Sequence, residues 1–246
     1  PQLSKTLLYL DKFMDSDARR KVILVLQTLG CPRVDVVRMG FSLPTPDVVV
    51  TLLQENLAVP TEPSSVINAI RHLMENEHVT IANILSAEEC EILLRYFQEA
   101  CESGSDLSEQ DVQTIKRLPI FQDATTGRMR DISSNSTCHT IKSPNLPKGI
   151  DVILTAARCI LLKPNSMLKL LHKKLEITPI NSTSAFLKYV LPNFHVLGQQ
   201  GKVAFVEYII DKIIKKASEE EQDSLYSAMK KIAFIPDEQG ENHTAN

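Results

Sequence analysis

Apolar residues recur at intervals of three and four through most of the chain, which is the spacing of amphipathic helices. One such stretch, 17–29, carries Val22, Val25, Leu26 and Leu29. Capping boxes at Ser86–Glu89 and Ser108–Asp111 predict where two further helices begin. The most regular stretch, 201–216, places these apolar residues on one predicted side: Val203, Val206, Ile209, Ile210, Ile213 and Ile214.

The pattern changes within 118–132, where apolar residues alternate with polar ones around a loop that contains Gly127. This alternation predicts a β-hairpin. Residues 133–149 are rich in Ser, Thr, Asn and Pro, and they favour a linker.

A short motif occurs twice, at an offset of 114 residues. Lys-Arg-Leu-Pro-Ile-Phe-Gln-Asp at 116–123 leads to Gly127, and Lys-Lys-Ile-Ala-Phe-Ile-Pro-Asp at 230–237 leads to Gly240. Each copy follows a long amphipathic helix and a short acidic-to-basic helix, so we interpret it as one supersecondary unit used twice. The second copy stops where its hairpin should return, and we expect the chain to be a segment of a larger modular array.

The predicted fold is therefore mainly α with small β-hairpins (α+β), as two tandem helical units that each end in an LPIF/FIP…G hairpin. We expect a first unit at 1–132 with its hairpin at 118–132, a linker at 133–149, and a second unit at 150–246 with a truncated hairpin motif. The predicted structural residues of the two motifs are Leu118, Pro119, Ile120, Phe121, Gly127, Phe234, Ile235, Pro236 and Gly240.

Charge is unevenly distributed. Residues 1–123 carry 11 basic and 18 acidic side chains, whereas 124–246 carry 16 basic and 12 acidic ones. Within 75–111 there are ten acidic residues and one basic residue, Arg95. This stretch is either a solvated helix face or a docking surface, for a basic partner or for the basic second half of this chain. The candidate surface residues are Glu88, Glu89, Glu91, Glu99 and Glu102.

Composition narrows the classes of function. The five cysteines form no CxxC pair and fit free thiols in a reducing compartment, so we expect a cytoplasmic location. No apolar run approaches the ~18–20 residues of a membrane span. The chain has no Trp, 5% aromatic residues and a net charge of −3, which disfavours nucleic-acid binding.

Catalytic patterns are missing from the sequence. It contains no GxSxG, HExxH or GxGxxG motif. Residues 198–203 resemble a phosphate loop only faintly, because two residues instead of four separate the glycines and Val203 stands where Ser or Thr is needed. We therefore predict no catalytic, cofactor-binding or metal-ligating residues, and we do not expect an enzyme.

The two motif copies, together with the L…L.I.PI…F..YVLPNF pattern at 170–194, resemble elements that recur in the sacsin family. The resemblance implies a segment of a very large cytosolic co-chaperone. It also places this chain outside the family's ATP-binding module and J domain, because no DxGxG or HPD motif occurs here.

The leading hypothesis is a non-catalytic repeat module for scaffolding, domain positioning, and binding of protein clients or chaperone machinery. The alternative is a stand-alone helical adaptor that binds a basic protein through 75–111. A third hypothesis, an unrecognised hydrolase or nucleotide enzyme, would require a nucleotide to raise the melting temperature.

Overall fold

The structure is a computed structural model. It describes residues 6–9, 17–29, 33–35, 58–59, 63–76, 84–105, 107–142, 146–236 and 242–244. Helices predominate among these residues and the strands are short, which confirms the general α+β class. The chain divides into two units. The first comprises Pro1–Phe121, Met129–Ser133 and Asn165–Leu175, and the second comprises Gln122–Arg128, Ser134–Pro164 and Glu176–Asn246.

The first unit contains a three-stranded parallel sheet. Strand β1 (Thr6–Tyr9) lies in the centre, between β2 (Arg33–Asp35) and β3 (Ala58–Val59). Leu7 pairs with Arg33 on one side and with Val59 on the other. Helix α1 (Asp17–Thr28) connects β1 to β2, because two parallel neighbours require a crossover connection.

Three amphipathic helices follow the sheet in the first unit: α2 (Pro63–Asn76), α3 (Ala87–Glu102) and α4 (Glu109–Arg117). The capping boxes predicted at Ser86 and Ser108 are both present. Helix α3 packs against α1 and buries the side of the helix that the sequence predicts. Its buried apolar residues include Leu93, Tyr96, Phe97 and Ala100.

A segment from the second half of the sequence also belongs to the first unit. It contains a 3-10 turn (Ser166–Leu168) and helix α6 (Lys169–Lys174). The backbone N–H of Leu171 donates to Oε1 of Gln98 in α3, at 2.9 Å. The predicted second unit at 150–246 is therefore wrong for Asn165–Leu175, because the buried side chain of Leu171 packs with α3.

The predicted hairpin within 118–132 is confirmed, with shorter strands. Strand β4 (Phe121–Gln122) pairs with β5 (Met129–Arg130). In the loop between them, Gly127 N–H donates to the carbonyl of Asp123 at 3.0 Å.

The second unit contains another three-stranded parallel sheet. Strand β6 (Thr137–Ile141) lies between β7 (Cys159–Leu162) and β8 (Thr178–Ile180). Its crossover helix to β7 is α5 (Ile150–Ala156). The predicted linker at 133–149 is thus wrong for 137–141, which form the central strand. Polar residues can occupy this strand because their side chains find hydrogen-bond partners in the fold.

The remaining helices of the second unit pack behind its sheet. Helix α7 (Ser182–Ala185) continues into a π turn (Phe186–Val190) and a 3-10 turn (Leu191–Val196). Helix α8 (Gln199–Tyr208) continues likewise through Ile209–Ile213 and Ile214–Lys216, before α9 (Glu219–Met229). The core of this unit includes the edge-to-face rings of Phe194 and Phe205, whose centroids are 6.3 Å apart.

The second motif forms a complete hairpin. Strand β9 (Ala233–Pro236) pairs antiparallel with β10 (Asn242–Thr244), and His243 lies opposite Ile235. The predicted truncation is therefore wrong. The return strand consists of polar residues, so it lacks the apolar alternation on which the prediction relied.

Candidate functional site

The first copy of the motif is part of a packed core. Leu118 and Ile120 are 0% exposed and Phe121 is 3% exposed, while Pro119 is half-buried. The N–H of Ile132, beyond the hairpin, donates to the carbonyl of Lys116 at the end of α4, at 2.8 Å. These contacts tie the hairpin to α4 and give the motif a structural role.

The loop of this hairpin is organised by Asp123. Its buried carboxylate accepts hydrogen bonds from the N–H groups of Thr125 at 2.7 Å and Thr126 at 2.9 Å. Gly127 has φ +71°, in the left-handed region that glycine adopts at low cost. The sequence-based expectation that Gly127 occupies the turn is confirmed.

The second copy is comparable through its backbone alone. Phe234, Ile235 and Pro236 lie in β9, but their side chains lie outside the described part of the chain. Gly240 also lies outside the described residues.

Among the five candidate acidic residues, Glu88, Glu91 and Glu102 are exposed, whereas Glu89 and Glu99 are half-buried. Glu89 completes the capping box, because its carboxylate accepts from the N–H of Ser86 at 2.8 Å. The hydroxyl of Thr28 donates to the same carboxylate at 2.7 Å. The backbone N–H of Ser86, and then the hydroxyl of Thr28, lower the pKa of Glu89.

Two further carboxylates also have partners on their own helix. Glu91 forms an ion pair with Arg95, with an N–O distance of 2.6 Å. Glu102 accepts a hydrogen bond from Nε2 of Gln98 at 2.8 Å. Several carboxylates of the acidic surface are therefore already hydrogen-bonded or ion-paired within their own helix. Fewer of them are available to a partner.

Large apolar side chains lie exposed on both units. They are Leu24, Ile84, Met167 and Leu170 in the first unit, and Val152, Val203, Ile210 and Tyr226 in the second. Met167 and Leu170 are three residues apart, and they are 65% and 43% exposed. Val203 and Ile210 are 48% and 44% exposed, so the prediction that they share the buried side with Ile209 is wrong. Phe205 occupies the buried side of α8 instead of Val203, and the π turn that begins at Ile209 shifts the helical frame only beyond that point.

A polar cluster crosses the sheet of the second unit. Nδ1 of His139 lies 2.7 Å from the hydroxyl of Thr178, and Nε2 lies 2.6 Å from the hydroxyl of Tyr189. Burial lowers the pKa of His139, and the charge of Lys188 lowers it further. Because both ring nitrogens are hydrogen-bonded, this cluster stabilises the sheet. Sequence reasoning missed it, since nothing in the Ser/Thr-rich stretch distinguishes His139.

Four cysteines within the described part of the chain are not in disulfide bonds: Cys90, Cys101, Cys138 and Cys159. Burial raises the pKa of Cys90 to about 11 and that of Cys159 to about 12. These two thiols therefore stay protonated at neutral pH and are poor nucleophiles.

Among the described residues, no group of three or more His, Cys, Asp or Glu side chains is arranged to hold a metal ion. No helix in that part of the chain combines the length and apolar character needed to cross a bilayer.

No protein-family model, curated protein or solved structure matches this chain.

Proposed function

We propose that this chain is a non-catalytic repeat module of a sacsin-like cytosolic co-chaperone. In this role it positions neighbouring domains and binds client proteins through exposed apolar side chains. The observation that carries the proposal is the shared succession of elements in the two units.

Each unit begins with a parallel sheet in which the first strand is central and is flanked by the second and third. The strand orders are β2-β1-β3 and β7-β6-β8. Along the sequence, each sheet is followed by helical segments, by a helix with a serine capping box at Ser108 or Ser218, and then by a two-stranded hairpin. Modules that repeat in this way are typical of proteins that space binding surfaces along a chain.

The sequence offset supports the same interpretation. Adding the motif offset of 114 to Met129–Arg130 gives 243–244, and β10 occupies Asn242–Thr244. We therefore infer that the chain holds two tandem units, each ending in an LPIF/FIP…G hairpin. Because the first copy of the motif buries Leu118 and Ile120, its residues act by maintaining the local fold.

Client binding is tested by light scattering of a heat-labile enzyme such as citrate synthase, heated with and without the full chain. Exposed apolar side chains bind unfolded clients without requiring charge. Suppression of aggregation should therefore persist when salt rises from ~50 to ~500 mM, over which exposed charge pairs are screened. Absence of suppression at both salt concentrations would contradict client binding.

The double substitution Val203→Ser/Ile210→Ser should weaken this suppression, because it removes two exposed apolar side chains from one helical segment. A matched control is Ala204→Ser/Glu207→Ser, which changes exposed residues of α8 while keeping Val203 and Ile210. Equal suppression by the two double variants would exclude this helix as the client surface.

A second candidate function is the adaptor that binds a basic partner through 75–111. It is favoured by Glu88, which is exposed and makes no side-chain hydrogen bond or ion pair within the described part of the chain. Binding of a lysine-rich peptide should then weaken sharply with salt and with Glu88→Gln/Glu91→Gln. If salt did not change the affinity for this peptide, the adaptor function would be excluded.

A further inference from the structure

The second unit has a cavity of about 500 Å³ beside the ends of its parallel strands. Thr140 lies in β6 and Lys142 follows its last residue, while Pro179 and Ile180 lie at the end of β8. The volume is within the range of small-molecule sites, about 300–1000 Å³. The remaining lining residues are Pro164, Asn181, Ser182 and Lys216.

The position of the cavity in the sheet is the one at which α/β proteins bind ligands. The strand order β7-β6-β8 means that the chain leaves β6 towards one edge and later returns on the other side of it. A crevice then opens at the carboxyl ends of the strands, where the order reverses. Thr140 pairs with Pro179 across β6 and β8, beside this crevice.

The charge in the cavity is positive. Lys142 and Lys216 are both exposed, and neither makes a hydrogen bond or ion pair within the described residues. Among the residues that the structure describes, no acidic side chain lines the cavity. Two ammonium groups without a countercharge provide a site for an anion with about two negative charges.

Two hydroxyls add hydrogen-bonding capacity. Thr140 is 9% exposed and Ser182 is half-buried, and neither hydroxyl has a hydrogen-bond partner among the described residues. In that part of the chain no buried side-chain oxygen or nitrogen lacks a partner. The hydroxyl of Thr140 is therefore accessible to solvent and available to a ligand.

Asn181 is held in place by its own contacts. Its Oδ1 accepts from the N–H of Ser184 at 2.7 Å, and its Nδ2 donates to Glu221 at 3.4 Å. Glu221 in turn accepts from the N–H of Ser218 at 3.0 Å, as part of the capping box of α9. This carboxylate is therefore engaged by Asn181 and by the capping box, and Glu221 is not among the described residues that line the cavity.

We propose that this cavity binds a small molecule carrying a phosphate monoester. A phosphate group bears about −1.5 to −2 charges at neutral pH, which Lys142 and Lys216 balance, and its oxygens accept hydrogen bonds from Thr140 and Ser182. Pro164, Pro179 and Ile180 provide an apolar wall for the carbon skeleton of the ligand. This site is independent of the proposed client surface.

The test is titration of the full ¹⁵N-labelled chain with glucose 6-phosphate, inorganic phosphate and glucose, at ionic strength held constant with chloride. We expect saturable shifts from glucose 6-phosphate at the amides of Thr140, Lys142, Asn181, Ser182 and Lys216. Inorganic phosphate should bind at the same amides more weakly, and glucose should not bind. Calorimetry gives the dissociation constant of each probe.

The decisive variant is Lys142→Ala/Lys216→Ala, and its control is Lys163→Ala/Lys212→Ala. All four lysines are exposed, and the control removes the same charge from positions outside the cavity. The first variant should raise the dissociation constant for glucose 6-phosphate by at least about tenfold, since hydrogen bonds to charged groups are individually strong. The control should change it less than about twofold. Matching circular dichroism melting curves would show that both variants fold.

Three outcomes would overturn the proposal. The first is no saturable shift with glucose 6-phosphate or inorganic phosphate, and the second is equal weakening by the two double variants. The third is binding of a phosphoserine peptide with no binding of glucose 6-phosphate, which would assign the cavity to a protein partner. Suppression of client aggregation by Lys142→Ala/Lys216→Ala should equal that of the unchanged chain, so the two proposals fail independently.

Discussion

The central strands of the two sheets have the same place in the fold and opposite compositions. Strand β1 reads Thr-Leu-Leu-Tyr and follows the apolar rule for a strand with parallel partners on both sides. Strand β6 reads Thr-Cys-His-Thr-Ile and occupies the same central place. The polar strand is stable because His139 has a partner on each ring nitrogen, Thr178 on β8 and Tyr189 behind the sheet.

The surroundings of the two sheets also differ. In the second unit the polar strand ends beside the cavity that Lys142 and Lys216 line, where we propose that a ligand binds. In the first unit, the segment Asn165–Leu175 packs on α3, where the N–H of Leu171 donates a hydrogen bond to the side chain of Gln98. The same sheet arrangement therefore lies beside a cavity in one unit, and in the other unit a segment distant in sequence packs on the helix α3.

The largest expected effect comes from aromatic rings in the two cores. Phe121→Ala in the first unit should lower the free energy of unfolding by about 3–5 kcal/mol, because the ring is buried and its loss leaves a cavity. Phe186→Ala should cost the second unit a similar amount, since its ring is 0% exposed. Urea unfolding followed by NMR resolves the units. A loss below about 1 kcal/mol for Phe121→Ala would contradict its place in the core.

A smaller loss is expected from Gln98→Ala. It leaves the N–H of Leu171 buried without its acceptor, which costs about 1–3 kcal/mol. The exposed Gln113→Ala, which breaks only a contact to Glu109 one turn earlier, should cost less than about 0.5 kcal/mol. Hydrogen exchange of α6 should accelerate in Gln98→Ala alone. If the exchange rates in α6 did not change, Asn165–Leu175 would not be held to the first unit by this hydrogen bond.

Mild acid should weaken each unit through a different histidine. Burial lowers the pKa of His139 in the second unit and of His172 in the first below the usual 6.5. Between pH 6.5 and the lower pKa of the folded state, these histidines are protonated in the unfolded chain and neutral in the folded one. The free energy of unfolding therefore falls as the pH drops below 6.5, and it levels off below the folded pKa.

His139→Gln should remove this loss from the second unit, and His172→Gln should remove it from the first. The measurement is hydrogen exchange of each unit between pH 7.5 and 5, compared as protection relative to the intrinsic rate. If His139→Gln left the slope of the second unit unchanged, the buried cluster around the histidine would be refuted.

The smallest expected effect is a gain in stability from a substitution at Arg158. This residue precedes β7 and has a φ of 48°. Glycine adopts this left-handed conformation without a Cβ clash, so Arg158→Gly should stabilise the second unit by about 0.5–1 kcal/mol. In α5, Ala156→Gly should instead destabilise it by about 1 kcal/mol. Thermal unfolding of both variants checks the opposite signs, and a loss of stability in Arg158→Gly would contradict the turn geometry.

Local features of the fold were predictable from the sequence. Helices α1, α3 and α4 follow the apolar spacing, and the capping boxes mark the starts of α3 and α4. The hairpin at 118–132 followed from alternation around Gly127. Each of these signals arises from residues close together in the chain.

The parallel sheets and the cavity were not predictable in this way. Strands of two to five residues are too short to show a period, and their partners lie tens of residues away, as Leu7 does from Val59. The cavity is lined by Thr140, Lys142 and Lys216, and Lys216 is far from the other two in the sequence. No sequence spacing therefore predicts that they meet. The polar composition of 137–141 favoured a linker, since the partners of His139 become apparent only in the folded sheet.

We propose that the chain holds two copies of one unit, each built on a parallel sheet with its first strand in the centre. Interstrand nuclear Overhauser effects, measured on the full chain deuterated at nonexchangeable positions, test the strand arrangement of both sheets. We predict parallel contacts from Leu7 to both Arg33 and Val59, and from His139 to both Leu161 and Thr178. Antiparallel contacts in either sheet, or a β1 or β6 with a partner on one side only, would contradict the claim.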